Sequence, residues 1–324
     1  MKKKDGLSSM FKTAKKNVLK CTNWLGYHFI YKANIMPLVM MHVDGGLSSQ
    51  IIRISVGKLF EEAGFRVKYE LDYYKQNGKN KLAFPYRIST CFPSVIVPEA
   101  NRWEVLRYKL FYDAEKSHVK NSVDIKSWDH KRALYLSGYS TDYLIDKTRI
   151  SSFFNIHEIE KQLSCEAWKW ANEIEKCRKH NIITVGVHVR RGDMTQAGGY
   201  WKVLNSKYFI AAINMIPNRD QCKFFFFSNG FDFVTNEIIP NLDIDYSLVQ
   251  GTTCDYEDFY LLSRCNTQIG SQGSWGTIAY LFNEDNNKRL ITYNREGALG
   301  FDHSERGVTV IELDNSMFLN SCNN

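Results

Sequence analysis

The sequence predicts an α/β protein with parallel sheets. Three observations carry this. Short apolar runs of strand length recur along the chain, and stretches with helical apolar spacing separate them. One run, Phe224-Phe-Phe-Phe227, is too apolar for a strand with one wet face and belongs inside a parallel sheet covered on both sides. The 324 residues, 44% apolar and 24% charged, exclude a disordered or fibrous chain and suffice for two ordinary domains. With only 6 Pro, no long extended linker is expected.

Residues 1–36 read as a basic extension. Lys2, Lys3, Lys4, Lys12, Lys15, Lys16 and Lys20 against Asp5 give the first twenty residues +6 of a total of +7, leaving +1 for the rest. A nucleic-acid binder carries its charge on the folded surface, so no nucleic-acid partner is expected. Met10, Phe11, Ala14, Val18 and Leu19 share one helical face flanked by lysines. That suits peripheral contact with an anionic membrane, although a solvated extension or a helix packed on the domain fits the same residues. The lysines are followed by no uninterrupted apolar region, and no stretch nears the roughly 20 apolar residues that cross a bilayer. A cytoplasmic location is expected, at most peripheral at the inner face of the plasma membrane. The eight cysteines form no C-x-x-C pair and read as reduced thiols.

The folded body divides into 37–165 and 166–324. Pro37 to Val43 is a strand that breaks at Asp44-Gly45-Gly46; Gln50 to Ala63 is a helix with Ile51, Ile54, Leu59 and Phe60 on one face; Phe65 to Leu71 alternates as a strand. Strand, glycine loop, helix and strand open a Rossmann-like domain. Residues 72–155 carry fewer signals, Ala133 to Tyr139 among them. Ile156 to His180 reads as one long helix. Strands are then expected at Ile182–Val189, Cys222–Ser228, Asp245–Gln250, Thr267–Gly270, Arg289–Tyr293 and Val308–Leu313. Helices are expected at Ser206–Ile216, Phe231–Ile238, Tyr256–Cys265 and Trp275–Phe282.

The chemistry concentrates in His188-Val-Arg190-Arg191-Gly192-Asp193, where a central strand runs out into a loop. Ligands of open α/β sheets bind beyond the carboxyl ends of strands, and two arginines there offer donor forks suited to phosphate oxygens. Gly192 lets backbone come close, and Asp193 can orient an arginine or take a proton. Gly270-Ser271-Gln272-Gly273-Ser274 leads into a helix at Trp275, with backbone N–H groups suited to a diphosphate.

The run His188-x-Arg190-Arg191-Gly192-Asp193 resembles the hallmark of the alpha-1,2-fucosyltransferases, glycosyltransferase family 11. Other segments follow in the same order. Asp44-Gly45-Gly46-Leu-Ser-Ser49-Gln50 is similar to the family's Gly-Gly-Leu-Gly-Asn-Gln loop, and Tyr135 to Leu144 to its Tyr-Leu-x-Gly-Tyr segment. Phe227-Ser228-Asn229 falls at its Phe-Ser-Asp/Asn position, Asp258 to Cys265 at its Asp-x-x-x-Met-Ser-x-Cys helix, and Ser274-Trp275 at its Ser-Trp loop. The resemblance implies a GT-B fold, two Rossmann-like domains facing across a cleft, with GDP-fucose on the C-terminal one. It implies inverting, metal-independent transfer of fucose to a glycan hydroxyl, an alpha-1,2 linkage to a galactose-type acceptor, in surface polysaccharide or O-antigen synthesis. The partners are then a nucleotide sugar and a glycan acceptor, with no cofactor and no metal.

On this reading Arg190 stabilises the departing diphosphate, with Asp193 and His188 beside it as catalytic candidates. Arg191, Ser228, Asn229, Asp258, Ser271, Gly273 and Ser274 bind the donor, and Asp44, Gly45, Gly46, Ser49 and Gln50 form the acceptor loop. For the general base, Asp193 and Asp44 are both open by position. Ser48-Ser49 replace the family's Gly-Asn, and Gly276 replaces a second Trp, which marks a divergent branch. Asp243-Ile-Asp245 is a D-x-D, but at the entry to a strand it reads as solvated acids. Two alternatives stand beside the main reading: a different sugar nucleotide, or a non-catalytic glycan- or nucleotide-binding relative.

Overall fold

A computed structural model of the chain describes residues 38–75, 84–111, 122–127, 134–137, 147–192, 203–293 and 305–319, with Asn17. The rest of the basic extension, residues 138–144 of the Tyr135 segment, and Asp193 lie outside the described residues. As the alternating pattern predicts, the chain is mixed α/β; the described residues form two sheets in which every strand pairing is parallel. Two compact units divide it: Met1–Asp44, Ile52–Gln76 and Ile96–Ile145 in one, Gly45–Ile51, Asn77–Val95 and Asp146–Asn324 in the other. No helix among the described residues is long and apolar enough to cross a membrane.

The first unit holds β1 (Leu38–His42), most of α1 (Leu47–Glu62), β2 (Arg66–Glu70), α2 (Arg102–Phe111) and β3 (Leu134–Leu136), with sheet order β2-β1-β3. Helix α1 starts three residues earlier than its apolar spacing suggests. Gly45 takes φ +76°, which turns the chain, and Gln50 N–H closes the first turn on the Gly46 carbonyl at 3.0 Å. At the other end Gly64 (φ +89°) reverses the chain, and Gly64 and Phe65 donate back to Glu61 and Phe60, a Schellman stop. Met40 on β1 packs with Leu38, Ala100, Val105, Tyr108 and Tyr135.

The second unit is built on six parallel strands: β4 (Ile183–Val189), β5 (Cys222–Ser228), β6 (Asp245–Leu248), β7 (Thr267–Ile269), β8 (Arg289–Tyr293) and β9 (Val308–Ile311). Their order is β6-β5-β4-β7-β8-β9, the 3-2-1-4-5-6 arrangement of dinucleotide-binding sheets. Phe224, Phe225, Phe226 and Phe227 are all buried. Phe225 meets Trp170 of α3 (Cys165–Lys179), whereas Phe224 and Phe226 join the cluster of Tyr208, Phe209 and Ile213 on α4 (Ser206–Asn214). The strand is therefore covered on both faces, as its composition requires.

Two expected helices are divided. Ile156–His180 is a short turn, His157–Glu160, then a break and α3. Ser164 causes the break: its hydroxyl accepts from Ala167 N–H at 3.2 Å and caps the new helix, while its own N–H is taken by Glu257 at 2.6 Å. Phe231–Ile238 winds as one α-turn and a π-turn, with Thr235 bonding back to Phe231 and Asp232, and a 3₁₀ turn with Pro240, Ile239–Asn241, follows.

Gly186, in the middle of β4, lets α5 (Asp255–Ser263) pack close: a Cβ there would sit 2.5 Å from Leu262 Cδ1 and 3.1 Å from Cys265 Sγ. Gly186→Ala gains strand propensity but overpacks a closed core, and the second effect is larger. We expect a loss of about 1–3 kcal/mol, read as a lower urea midpoint at unchanged slope.

Candidate active site

In the second sheet the strand order reverses between β4 and β7, and the carboxyl ends of these two strands form the crevice where such sheets bind ligands. The His188 run leaves β4 there and the 270–274 loop leaves β7 there. The structure therefore brings together two segments that are about 80 residues apart in sequence. His188 is buried; its Nδ1 is 3.0 Å from the Ser271 hydroxyl, and its ring lies 4.5 Å from that of Trp275, the first residue of α6 (Trp275–Leu281). Gly276 explains its own departure from the family pattern. A Cβ there would meet the Gly270 Cα at 3.3 Å and His188 Nδ1 at 3.5 Å, so no large side chain fits.

The two arginines part company. Arg191 N–H donates to Asn229 Oδ1 at 2.7 Å, and its guanidinium donates to the Leu204 carbonyl at 3.2 Å and lies 3.8 Å above the Phe233 ring. Burial pushes the Arg191 pKa down, partly offset by Glu237. This arginine braces the β4–β5 edge, so the donor-binding role expected for it competes with contacts inside the protein. Ser228 works in the same brace, donating to the Val189 carbonyl at 2.7 Å and accepting from Gly230 N–H at 2.9 Å. Arg190 turns the other way. Its carbonyl is held by Gln272 Nε2 at 2.8 Å, and its guanidinium covers Gly273, where a Cβ would sit 2.7 Å from Nη1. Gly273 also has φ +93°, so both space and backbone require glycine there.

Within the same unit the glycine loop comes to the 270–274 loop: the Ser274 hydroxyl donates to that of Ser48 at 3.1 Å. Gln50 is fully buried and satisfied, donating to the Gly45 and Pro85 carbonyls at 3.1 and 2.8 Å and accepting from Arg87 N–H at 2.8 Å. Gly46 faces the Phe84 ring, and Gly45 backs onto Ser49. Gln50 thus acts as a clamp on the loop. Asp44 groups with the first unit, beside His42 and Arg53. The D-x-D lies elsewhere: Asp245 pairs with Lys223 at 2.6 Å at the amino end of the strands, and both acids are exposed.

Residues that the motif pattern did not single out complete the site. Gln272 and Phe233 hold the two arginines, and fully buried Tyr208 donates to the Gly270 carbonyl at 2.6 Å. An aromatic on a helix face reads as ordinary core, so nothing local marks Tyr208. Asp258 on α5 is half-buried by area, yet its Oδ1 is enclosed and without a hydrogen-bond partner among the described residues. Burial pushes this carboxyl up to about 6, against the pull of a Thr252 hydrogen bond. A carboxyl whose pKa is raised on folding holds its proton more tightly when folded, so its contribution is present at low pH and lost as pH rises through about 6. Asp258→Asn should therefore stabilise the unliganded protein at about pH 8, by up to about 3 kcal/mol, and change little near pH 4. Thermal unfolding at the two pH values checks this.

No curated protein matches the chain. Similar solved structures include the NodZ alpha-1,6-fucosyltransferase soaked with GDP-fucose, 12% identical with a TM-score of 0.40 over 76% of this chain and 92% of that one. Fucosyltransferase NodZ from Bradyrhizobium is 11% identical with a TM-score of 0.39, over 81% of this chain and 96% of that one. POFUT1 in complex with GDP-fucose is 10% identical with a TM-score of 0.42, over 78% and 96%. The family model described as Glycosyl transferase family 11 matches residues 116–301, a span that includes the His188 run and the 270–274 loop. With more than half of its length matched by that model, the chain belongs to glycosyl transferase family 11.

Proposed function

We propose that the protein is an inverting fucosyltransferase that moves fucose from GDP-fucose to a hydroxyl of a galactose-type glycan, forming an alpha-1,2 linkage. The observation that carries this is Arg190, at the switch point of a Rossmann-ordered sheet, with its guanidinium over Gly273. The departing GDP gains negative charge as its bond to the sugar C1 breaks. A fixed cation aimed at that charge stabilises the transition state more than the ground state. In this reading Arg190 supplies the charge and no metal is needed. Gln272 and Gly273 hold Arg190 in place, and His188, locked between Ser271 and Trp275, fixes the end of β4.

Ser271, Gly273 and Ser274 are the residues proposed to face the diphosphate, with Asp258 and Asn229 as further donor contacts. Ser228 and Arg191 support the site through the β4–β5 brace. Gly45, Gly46, Ser49 and Gln50 belong to the acceptor loop, which Ser48 joins to Ser274. Asp193 and Asp44 are the candidates for the base that the sequence offers. Surface polysaccharide synthesis is the pathway proposed, with the lysine-rich segment resting against an anionic bilayer.

Thermal unfolding with GDP, GDP-fucose, UDP or CMP, each with EDTA, tests the donor. A ligand at about 100 times its Kd stabilises by roughly 2.7 kcal/mol, and we expect GDP and GDP-fucose alone to do so. A shift with UDP or CMP instead identifies another sugar nucleotide, and no shift with any points to a non-catalytic relative. Arg190→Ala is expected to lower kcat by about 10²–10³-fold with a smaller change in KM, as measured by GDP release.

A further inference from the structure

Helix α2 of the first unit turns an apolar pair away from its own core. Its inner side carries Val105 and Tyr108, both buried in the cluster around Met40, and the Tyr108 hydroxyl donates to the Leu38 carbonyl at 3.3 Å. Trp103 and Leu106 lie three residues apart on the opposite side, 78% and 48% exposed, and no large apolar side chain among the described residues is more exposed than Trp103. A helix that covers a sheet ordinarily keeps this outer stripe polar. Fraying does not account for the exposure, because a reciprocal cap fixes the first turn. Asn101 Oδ1 accepts from the Trp103 and Glu104 N–H groups at 3.0 Å, and Glu104 Oε2 accepts from Asn101 N–H at 2.9 Å.

The charge around the pair has one sign. Arg102, beside Trp103, and Arg66 on β2 are exposed and make no ion pair among the described residues. Arg66 and Lys68 leave the same face of β2, Lys68 pairs with Glu104, and Arg66 stands near enough to act on the same carboxylate. The acid of this turn is thereby neutralised. In the sequence, Leu110 continues the i, i+3, i+7 spacing, and Arg107 and Lys109 add cations with no acid between Glu104 and Asp113.

Three occupants suit such a face: a second copy, the apolar stripe of this chain's own residues 10–19, or lipid. A second copy brings the same arginines, and residues 1–20 carry +6, so like charge opposes both. An anionic bilayer attracts the arginines and takes an indole ring at its interface. We infer that this face of α2 rests on an anionic membrane surface, with Trp103 and Leu106 in the headgroup–acyl boundary and Arg66 and Arg102 against lipid phosphates. Two side chains are a small apolar area and bind reversibly, so stable residence takes a second contact; the lysine-rich extension supplies it. The inference holds whichever sugar nucleotide is the donor.

The test is cosedimentation of the full chain with vesicles of phosphatidylcholine, alone or in equal parts with phosphatidylglycerol. Wild type is expected to bind the anionic vesicles alone, and less tightly as salt rises. Trp103→Ala should weaken this by about tenfold, and Arg66→Gln or Arg102→Gln by about fivefold each. Trp103→Phe should bind nearly as wild type yet lose part of the fluorescence quenching by brominated acyl chains, which places the ring in the bilayer. All of these side chains are exposed, so an unchanged urea midpoint shows that the fold is intact. Trp103→Ala that binds like wild type, with binding abolished by deleting residues 1–20, overturns the inference and leaves the extension as the contact. A wild type that ignores anionic vesicles overturns it too. So does a dimer that Trp103→Asp splits, which assigns the face to a second copy. Higher accessibility of Trp103 to acrylamide after deletion of residues 1–20, read against Trp103→Phe, assigns it to the extension instead. The GDP thermal shift, measured separately, bears on the proposed function and not on this face.

Discussion

The parallel register of β4 between β5 and β7 is the constraint on which the second unit's site depends. His188 and Val189 stand opposite Phe227 and Ser228, and Val187 opposite Ile269, so β4 and β5 end together, β7 ends two residues earlier, and their loops emerge along one edge. Successive residues beyond β4 then face opposite ways. Arg191 goes to the β5 side, onto Phe233 and Asn229, and Arg190 goes to the β7 side, over Gly273. A one-residue slip of β4 would exchange the two and would also turn its buried valines outward. The four phenylalanines of β5 and the closely packed Gly186 make that slip costly, so the core enforces the positions of the arginines.

Backbone groups at a buried strand end must find partners, and here side chains supply them. Ser228 takes the Val189 carbonyl, Gln272 that of Arg190, and Tyr208 that of Gly270. Each of these bonds ties one element or loop to another, so satisfying the backbone also stiffens the site. Electrostatic catalysis needs such stiffness, because a charge that has to be reoriented during reaction gives much of its advantage away. The departures from the family pattern sit inside this scheme as matched pieces. Ser48 touches Ser274, and Gly276 makes room for Gly270 and His188.

The two edges of the second sheet differ in kind. At the amino ends, Lys223 pairs with the exposed Asp245, and Arg178 pairs with a half-buried Asp285 that also accepts from Asn266 and Asn287. At the carboxyl ends His188, Ser271 and Gln272 are buried, Arg190, Arg191 and Ser228 are half-buried, and these groups interlock beside glycines that admit close approach. The first unit repeats the theme where the buried Glu70 accepts from the Tyr135 hydroxyl at the carboxyl edge of its own sheet.

Much of this was legible in the residues. The α/β class, the positions of every strand but β3 within a residue or two, and the burial of Phe224–Phe227 follow from local apolar patterns, which depend on nearby residues alone. The His188–Asp193 run and the 270–274 loop were recognisable because their residue types at fixed spacing serve a chemistry. Tertiary contacts decided the rest. Ser164 splits a helix because Glu257, 93 residues away, takes its N–H. Arg190 and Arg191 have the same chemistry in the sequence, and only Phe233, Asn229 and Gly273 make them different. Tyr208 carries no local signal, and Gln272 none beyond its place in the 270–274 loop, because each gains its role from a partner that the chain reaches only by folding.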